Sequence, residues 1–313
     1  MGQTITKKIA MQFLSGRRTV RLEAFTAITD EAAVALSNCK GNLNLGGLTQ
    51  LSAEAAAALA RCRGDLILEG LTKLSDASAE ALAQRRGDLE LYGLGEIPEE
   101  VAKALAQHEG QLSLGIITEL SARSAAFLSQ HRGDKLTIHG LSTLSGAAAA
   151  ALAKYHGELN LPDLTKISDT AAKALARHKG DLRLGVEELS VSGAEFLSHH
   201  RGRLHLPALG DLPEAVAEAL AKHPGELKLF KLFWLSEAMV AEALAKLRGK
   251  LDAKLLKELS AGAADALVKH EKELRLTPPA LNAIAEARER LARIKSSRAK
   301  RAVRSSATIG MSG

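Results

Sequence analysis

Six of the ten histidines recur in one place of a repeat: His108, His131, His178, His200 and His223, each two residues before a glycine, and His270, where Lys272 replaces the glycine. Cys39, Cys62, Arg85, Tyr155 and Leu247 hold that place elsewhere. Imidazoles stacked about 5 Å apart could bind a transition metal. The mixed company argues against it, because Arg, Tyr and Leu are not a ligand set. Cations and donors near the end of a helix instead satisfy free carbonyls. The column therefore predicts a structural edge, with no metal and no cofactor. Several of its imidazoles would repel one another once protonated.

Other residues with chemical potential reduce in the same way. Cys39 and Cys62 lie one repeat apart, within reach of a disulfide. Without a secretory signal they are expected as reduced thiols. Arg-Gly-Asp occurs at Arg63–Asp65, Arg86–Asp88 and Arg132–Asp134. Each copy falls where a helix gives way to a strand, so the glycine reads as a cap. The acids there are expected to neutralise the basic helix ends. No nucleophile elbow, phosphate-binding loop or zinc-protease helix motif occurs, and Ser, Asp and His are plentiful because the repeat needs caps. No catalytic residue and no enzymatic activity are predicted.

Binding has better candidates. Alternate strand residues point outward: Asn44, Ile67, Glu90, Ser113, Thr137, Asn160, Arg183, His205, Lys228, Asp252 and Arg275. The first half of this row is polar and near neutral, while Arg183, His205 and Lys228 make a basic stretch. Beside it runs Phe230-Lys231-Leu232-Phe233-Trp234-Leu235, which holds three of the chain's nine aromatic residues. Leu232 and Leu235 fall in buried columns, and Phe233 and Trp234 fall where other units carry Thr-Lys, so they are expected to be exposed. Such anchors beside an irregular unit form an interface or seal a packing defect. Phe230, Phe233 and Trp234 are carried forward as partner-binding residues. The segment Arg288–Arg304 carries eight basic residues against Glu289, leaving the rest of the chain near neutral. Arg298, Lys300, Arg301 and Arg304 are the alternative contacts, for nucleic acid or an anionic membrane surface.

Composition bounds the answer. The chain has 313 residues, 46% hydrophobic, 25% charged and 3% aromatic, which excludes wholesale disorder and requires a Leu/Ala core. The longest apolar run, Ala147–Ala153, is far short of the ~18 residues a membrane span needs. Met1–Thr6 fits a loose myristoylation pattern, but an ordinary frayed terminus is expected. The reading is a soluble, cytoplasmic chain.

What must position these residues is a repeat. An apolar anchor after Gly recurs at Val20, Leu43, Leu66, Leu89, Leu112, Leu136, Leu159, Leu182, Leu204, Leu227, Leu251 and Leu274. The step is 23 residues, with single-residue departures before Leu136, Leu204 and Leu251. In the unit Gly64–Arg86, Leu66 and Leu68 alternate as in a strand. Leu71 and Leu74 turn inward, Ser75 caps a helix, and Ala79, Leu82 and Ala83 follow at helical spacing. The cap column continues as Thr29, Ser52, Ser121, Ser145, Ser168, Ser190, Ser236 and Ser260, with Pro98 and Pro213 expected at the first helical position. The repeat glycines are expected to end each helix in a left-handed conformation. No unit can bury its leucines alone, so stacking must make a parallel sheet on one side and helices on the other.

This pattern resembles the leucine-rich repeat family, especially its short, alanine-rich repeats of bacterial type, over most of the chain. The resemblance implies an α/β solenoid of about twelve coils. The family's turn asparagine is replaced by Leu48, Leu71, Leu94, Ile117, Leu141 and Leu164, so apolar packing must hold the turn. The expected organisation is an N-terminal cap over 1–18, the solenoid over 19–277, a capping helix over 278–295 and a disordered basic tail over 296–313. The expected function is a non-enzymatic scaffold binding a protein partner. The alternatives are polyanion binding through the tail, or a self-associating structural solenoid.

Overall fold

The computed structural model describes residues 3–16, 20–210, 212–235, 238–270 and 273–309. Short strands and helices alternate along the chain. Eleven strands make one parallel sheet whose order follows the sequence. Its register pairs the expected anchors directly: Leu43 with Leu66, Leu66 with Leu89, and so on to Leu251 with Leu274. The three irregular steps do not break it, since Leu112 still pairs Leu136, Leu182 pairs Leu204, and Leu227 pairs Leu251. Single residues gained or lost are absorbed in the connections, because a slip would turn every buried leucine outward.

The first unit departs from expectation. Leu22–Ala24 forms a turn of 3-10 helix where a strand after Val20 was expected, so the sheet starts at Leu43–Asn44. Thr4–Ile5 pairs instead with Ala27–Ile28, and the helix Lys7–Leu14 lays Ile9, Phe13 and Leu14 against the core.

Within each coil the helix start is chemically defined. Thr29, Ser52, Ser75, Ser121, Ser145, Ser168, Ser190 and Ser260 each accept a hydrogen bond from the backbone N–H three residues on. Pro98 and Pro213 occupy the cap itself rather than the first helical position. Ser236 lies outside the described residues. The turn column is packed as predicted, with Leu48, Leu71, Leu94, Ile117, Leu141 and Leu164 all buried. Each buried leucine contributes about 2 kcal/mol, and alanine between helices lets the coils stack closely.

The glycine expectation fails in its mechanism. Among described glycines only Gly16 and Gly140 have positive φ, and only Gly16 closes a helix. The repeat glycines are needed for close approach instead. A Cβ at Gly133 would lie 2.0 Å from the Gly110 carbonyl oxygen, and one at Gly64 would lie 2.3 Å from Gly41 backbone.

The chain end also departs from expectation. One helix runs Pro278–Ile309, so it passes through both the expected boundary at 295 and the expected disordered tail. Ala280, Ile284 and Ala287 are buried, and Arg290 pairs Asp265. Once that anchored segment has nucleated a helix, the following Ala, Arg and Lys residues propagate it, since they are good helix formers.

Candidate functional site

The column residue of each coil is buried almost without exception. Cys62, Arg85, His108, His131, Tyr155, His178, His200, His223, Leu247 and His270 are all buried. Their rings form a continuous stack. Ring centroids are 6.1 Å apart for His108–His131, 5.9 Å for His131–Tyr155 and 6.2 Å for Tyr155–His178. His178–His200 and His200–His223 are each 6.1 Å apart and nearly parallel.

The column ties each coil to the one before it. Tyr155 donates to the Gly133 carbonyl at 2.7 Å, Cys62 to the Leu36 carbonyl at 3.1 Å, and Arg85 to the Gly64 carbonyl. His178 Nε2 lies 3.0 Å from the Gly157 carbonyl. The rings of His108, His131, His200 and His223 sit near equivalent carbonyls without reaching full hydrogen-bond geometry. Burial therefore dominates their acid–base behaviour. His131 and His200 are held down at about 4, first by desolvation and then by a neighbouring histidine. His108, His178 and His223 are lowered chiefly by the same burial. Among the described residues no group of three His, Cys, Asp or Glu is arranged to hold a metal. Cys39 and Cys62 are both free thiols, and burial pushes Cys62 up to about 11.

The opposite face is the sheet. Its outward row is in register throughout: Glu90 beside Ser113, Asn160 beside Arg183, Arg183 beside His205, and His205 beside Lys228. Thr137 and Asp252 belong to this row yet are buried beneath their neighbours. In the first half of the row Glu90 is the one charged residue, with further acids beside the row. Glu90 is raised by burial and then by Glu69, Asp65 and Asp88. The strand-start acids act on the helix ends as the sequence suggested, since Asp65 and Asp88 both favour the charged form of Arg85 against its burial. They also serve the next coil, with Asp65 accepting from the Asp88 N–H and Asp88 from the Gln111 N–H.

Arg183, His205 and Lys228 do come together. They are half-buried, on successive strands, and His205 is lowered by burial, then by Lys228, Arg183 and Arg203. Arg183 Nε and His205 Nε2 are buried without a hydrogen-bond partner. Further along the row the charges are balanced, since Arg275 pairs both Glu226 and Glu273. Phe230 is half-buried at the end of the Lys228 strand. Phe233 is not exposed as expected: it is half-buried with Lys257 Nζ 5.7 Å from its ring centroid. Trp234–Leu235 forms a second short parallel pair with Glu258–Leu259, the turn strand being recruited by the longer unit. Of the alternative contacts, Arg298 is exposed on the last helix. Lys300, Arg301 and Arg304 lie on that helix too, and their side chains fall outside the described residues.

Sequence reasoning missed a patch on the sheet's turn edge. Tyr92 and His139 meet edge to face at 5.1 Å, and His139 lies 3.2 Å from Asp163. Ile116 projects from the intervening coil, 61% exposed and with φ of 58°. The signal was present in the repeat column: Ile116 stands where other units carry Gly47, Gly70, Gly93 and Gly140, so a β-branched residue occupies a region that suits glycine.

No family model matches the chain, and no curated protein does. Solved structures share only the general shape. An internalin, InlF, from Listeria monocytogenes is 13% identical with a TM-score of 0.40, covering 87% of this chain and 89% of that one. A chain of the Toll–Spatzle complex of Drosophila is 15% identical with a TM-score of 0.44, covering 68% of this chain. This chain spans about a third of the length of that chain. The coils themselves decide the class: in-register leucine strands, a packed turn and a capped helix every 23 residues make the fold a leucine-rich-repeat solenoid.

Proposed function

We propose that this solenoid is a non-enzymatic scaffold that binds a protein partner on its sheet face, with an acidic segment of that partner seated at Arg183, His205 and Lys228. The observation that carries the reading is a basic row that is only partly relieved: Lys228 Nζ lies 3.8 Å from Glu226, and no ion pair holds Arg183 among the described residues. Three basic side chains stand on adjacent strands, and two of their nitrogens are buried and unpartnered. Such an arrangement stores repulsion that an anionic partner relieves, and buried donors left unmade are costly. Phe230, Phe233 and Trp234 flank the row and supply the apolar part of the contact. The acidic surface around Glu69 and Glu90 at the other end fixes which way a partner lies, because like charges there repel an acidic segment.

The test is affinity capture from the source cell's lysate at moderate and high salt, with three full-length variants beside wild type. Arg183→Glu with Lys228→Glu reverses the row, Phe230→Ala removes the nearest aromatic, and Glu90→Gln is the control. Specific proteins retained by wild type and the control, and lost by the other two, support the reading. Equal retention by all four refutes it.

A further inference from the structure

The two positions flanking the buried column hold a charge pattern that neither the fold nor the sheet face explains. From Cys39 to His270, the residues just before and just after each column residue include thirteen Lys or Arg, such as Arg61, Arg63, Arg86, Arg177, Lys179 and Arg201. Against these stand two acids, Glu109 and Glu271, the latter outside the described residues. All thirteen cations are exposed. Among the described residues only Lys222 and Lys269 have an ion-pair partner, Glu195 and Glu242.

The bland account is that cations complement helix C-termini. It falls short in magnitude. Each helix end carries about half a negative charge, so eleven helices account for roughly five or six cations. About five positive charges remain at these positions along one edge, before the strand-start acids beyond the glycines, such as Asp65, Asp88 and Asp134, are counted. Column rings of adjacent coils stand 6.1 Å apart at this edge, so ten such steps make a line roughly 60 Å long.

Clefts open between successive helix ends along this line. One of about 760 Å³ is lined by Arg61, Arg63 and Arg86. Another of about 330 Å³ is lined by Lys154, His156, Arg177 and Lys179. A third, of about 670 Å³, continues it with Lys179, His199 and Arg201. No acid lines any of the three. Each cleft brings cations from two adjacent coils to one mouth, which suits a phosphate.

From this we infer that the helix-end edge is a nucleic-acid interface, which grips the phosphate backbone of a duplex without reading its sequence. The flanking positions hold no Phe, Tyr or Trp, and among the three clefts only the third has one in its lining, Phe196 beneath Lys173, so a row of stacked bases is not supplied with platforms. They hold no large aliphatic residue either, so a membrane gains no inserted anchor. What remains is a linear array of cations, which matches a linear polyanion. The edge is distinct from the sheet face and from the C-terminal helix, so partner and nucleic acid occupy different surfaces.

The experiment is fluorescence anisotropy of a labelled duplex of arbitrary sequence, titrated with full-length protein between about 50 and 200 mM salt, the range over which phosphate contacts lose most affinity. An edge variant carries Arg61→Ala, Arg63→Ala, Arg86→Ala, Arg177→Ala, Lys179→Ala and Arg201→Ala. A tail variant carries Arg298→Ala, Lys300→Ala, Arg301→Ala and Arg304→Ala. All six edge positions are exposed, and circular dichroism checks that the fold is kept. Wild type is expected to bind with a steep salt dependence. The edge variant is expected to lose at least about thirtyfold in affinity, with a log–log slope shallower by about five for six lost phosphate contacts. The tail variant keeps most of that slope. An edge variant with wild-type affinity and slope overturns the inference. So does failure of wild type to bind duplex at the low-salt end, or capture by phosphatidylserine vesicles with no capture of duplex.

Discussion

Acid should unfold this protein well before its carboxylates titrate. His131 and His200 are buried in the ring stack and held at about 4, against 6.5 when free. The sign follows from proton counting. Below pH 6.5 the unfolded chain binds protons at these two sites that the folded chain refuses until about pH 4. Stability is therefore full above pH 6.5 and falls as pH drops through the window from 6.5 to 4. Between pH 7 and pH 5 each of the two loses about 1.8 kcal/mol, roughly 3.5 kcal/mol for the pair. His108, His178 and His223 are lowered in the same direction and add to the loss. Carboxylates do not confuse this comparison. Glu23, Asp181 and Glu273 are lowered, so their contribution is lost only as pH falls through their ordinary values of 4.5 and 3.8, below the comparison of pH 7 with pH 5, and Glu90 is raised, which opposes the loss. Typical domains have only about 5–15 kcal/mol to lose, so the change is large.

The assay is urea unfolding followed by circular dichroism at pH 7 and pH 5, with hydrogen exchange to locate the coils that open first. Tyr155 supplies the control, because it occupies the same column and donates to the Gly133 carbonyl. His131→Tyr with His200→Tyr should fold and should lose about 3 kcal/mol less than wild type between pH 7 and pH 5. A wild-type loss under about 1 kcal/mol, or an identical loss in the double variant, refutes the claim that these imidazoles are buried neutral.

Gly133→Ala should destabilise by more than about 2 kcal/mol in a thermal melt, since its Cβ meets the Gly110 carbonyl, whereas Gly95→Ala, with nothing within 4 Å, should be neutral or gain up to about 1 kcal/mol. Ile116→Gly should gain about 0.5–1 kcal/mol: the left-handed conformation costs Ile about 1–2 kcal/mol, offset in part by the greater freedom of glycine when unfolded. Cys62, pushed up to about 11 and donating to the Leu36 carbonyl, should react with iodoacetamide at pH 8 far more slowly than the less buried Cys39; equal rates would contradict the assigned burial.

The architecture was legible because the repeat encodes it twelve times. Anchors such as Leu66 and Leu159 and caps such as Ser75 and Ser168 each carry a local physical reason, and the stack makes those reasons mutually reinforcing. What was not legible depended on distance between coils. The repeat glycines look like helix caps from within one unit, and only the neighbouring coil's carbonyl shows that close approach is their purpose. Phe233 reads as exposed because Thr-Lys stands there elsewhere, but the next coil brings Lys257, at the same repeat position, over its ring. The tail lacks anything to bury, yet a helix anchored by Ile284 and Ala287 carries on through it. At the sheet face the strand positions of Arg183, His205 and Lys228 were readable. Their unpartnered nitrogens, and the acidity around Glu90, were not.

The histidine stack and the cationic edge are linked, and the link distinguishes ornament from function. The flanking cations sit beside imidazoles that must remain neutral, and Arg85, next in the column, already lowers His108. Positive charge close to the stack thus disfavours its protonation, as Arg85 does for His108. A polyanion bound along that edge offsets the positive field, so it raises the histidines' proton affinity in the folded state and narrows the gap from the unfolded value. If the edge binds duplex, the loss of stability between pH 7 and pH 5 should shrink when duplex is present and return in the edge variant. Cations that merely complement helix ends give no such coupling, because nothing binds there to change the field. Melting at both pH values, with and without duplex, therefore tests the interface by a route independent of affinity, and an acid response that ignores duplex counts against it.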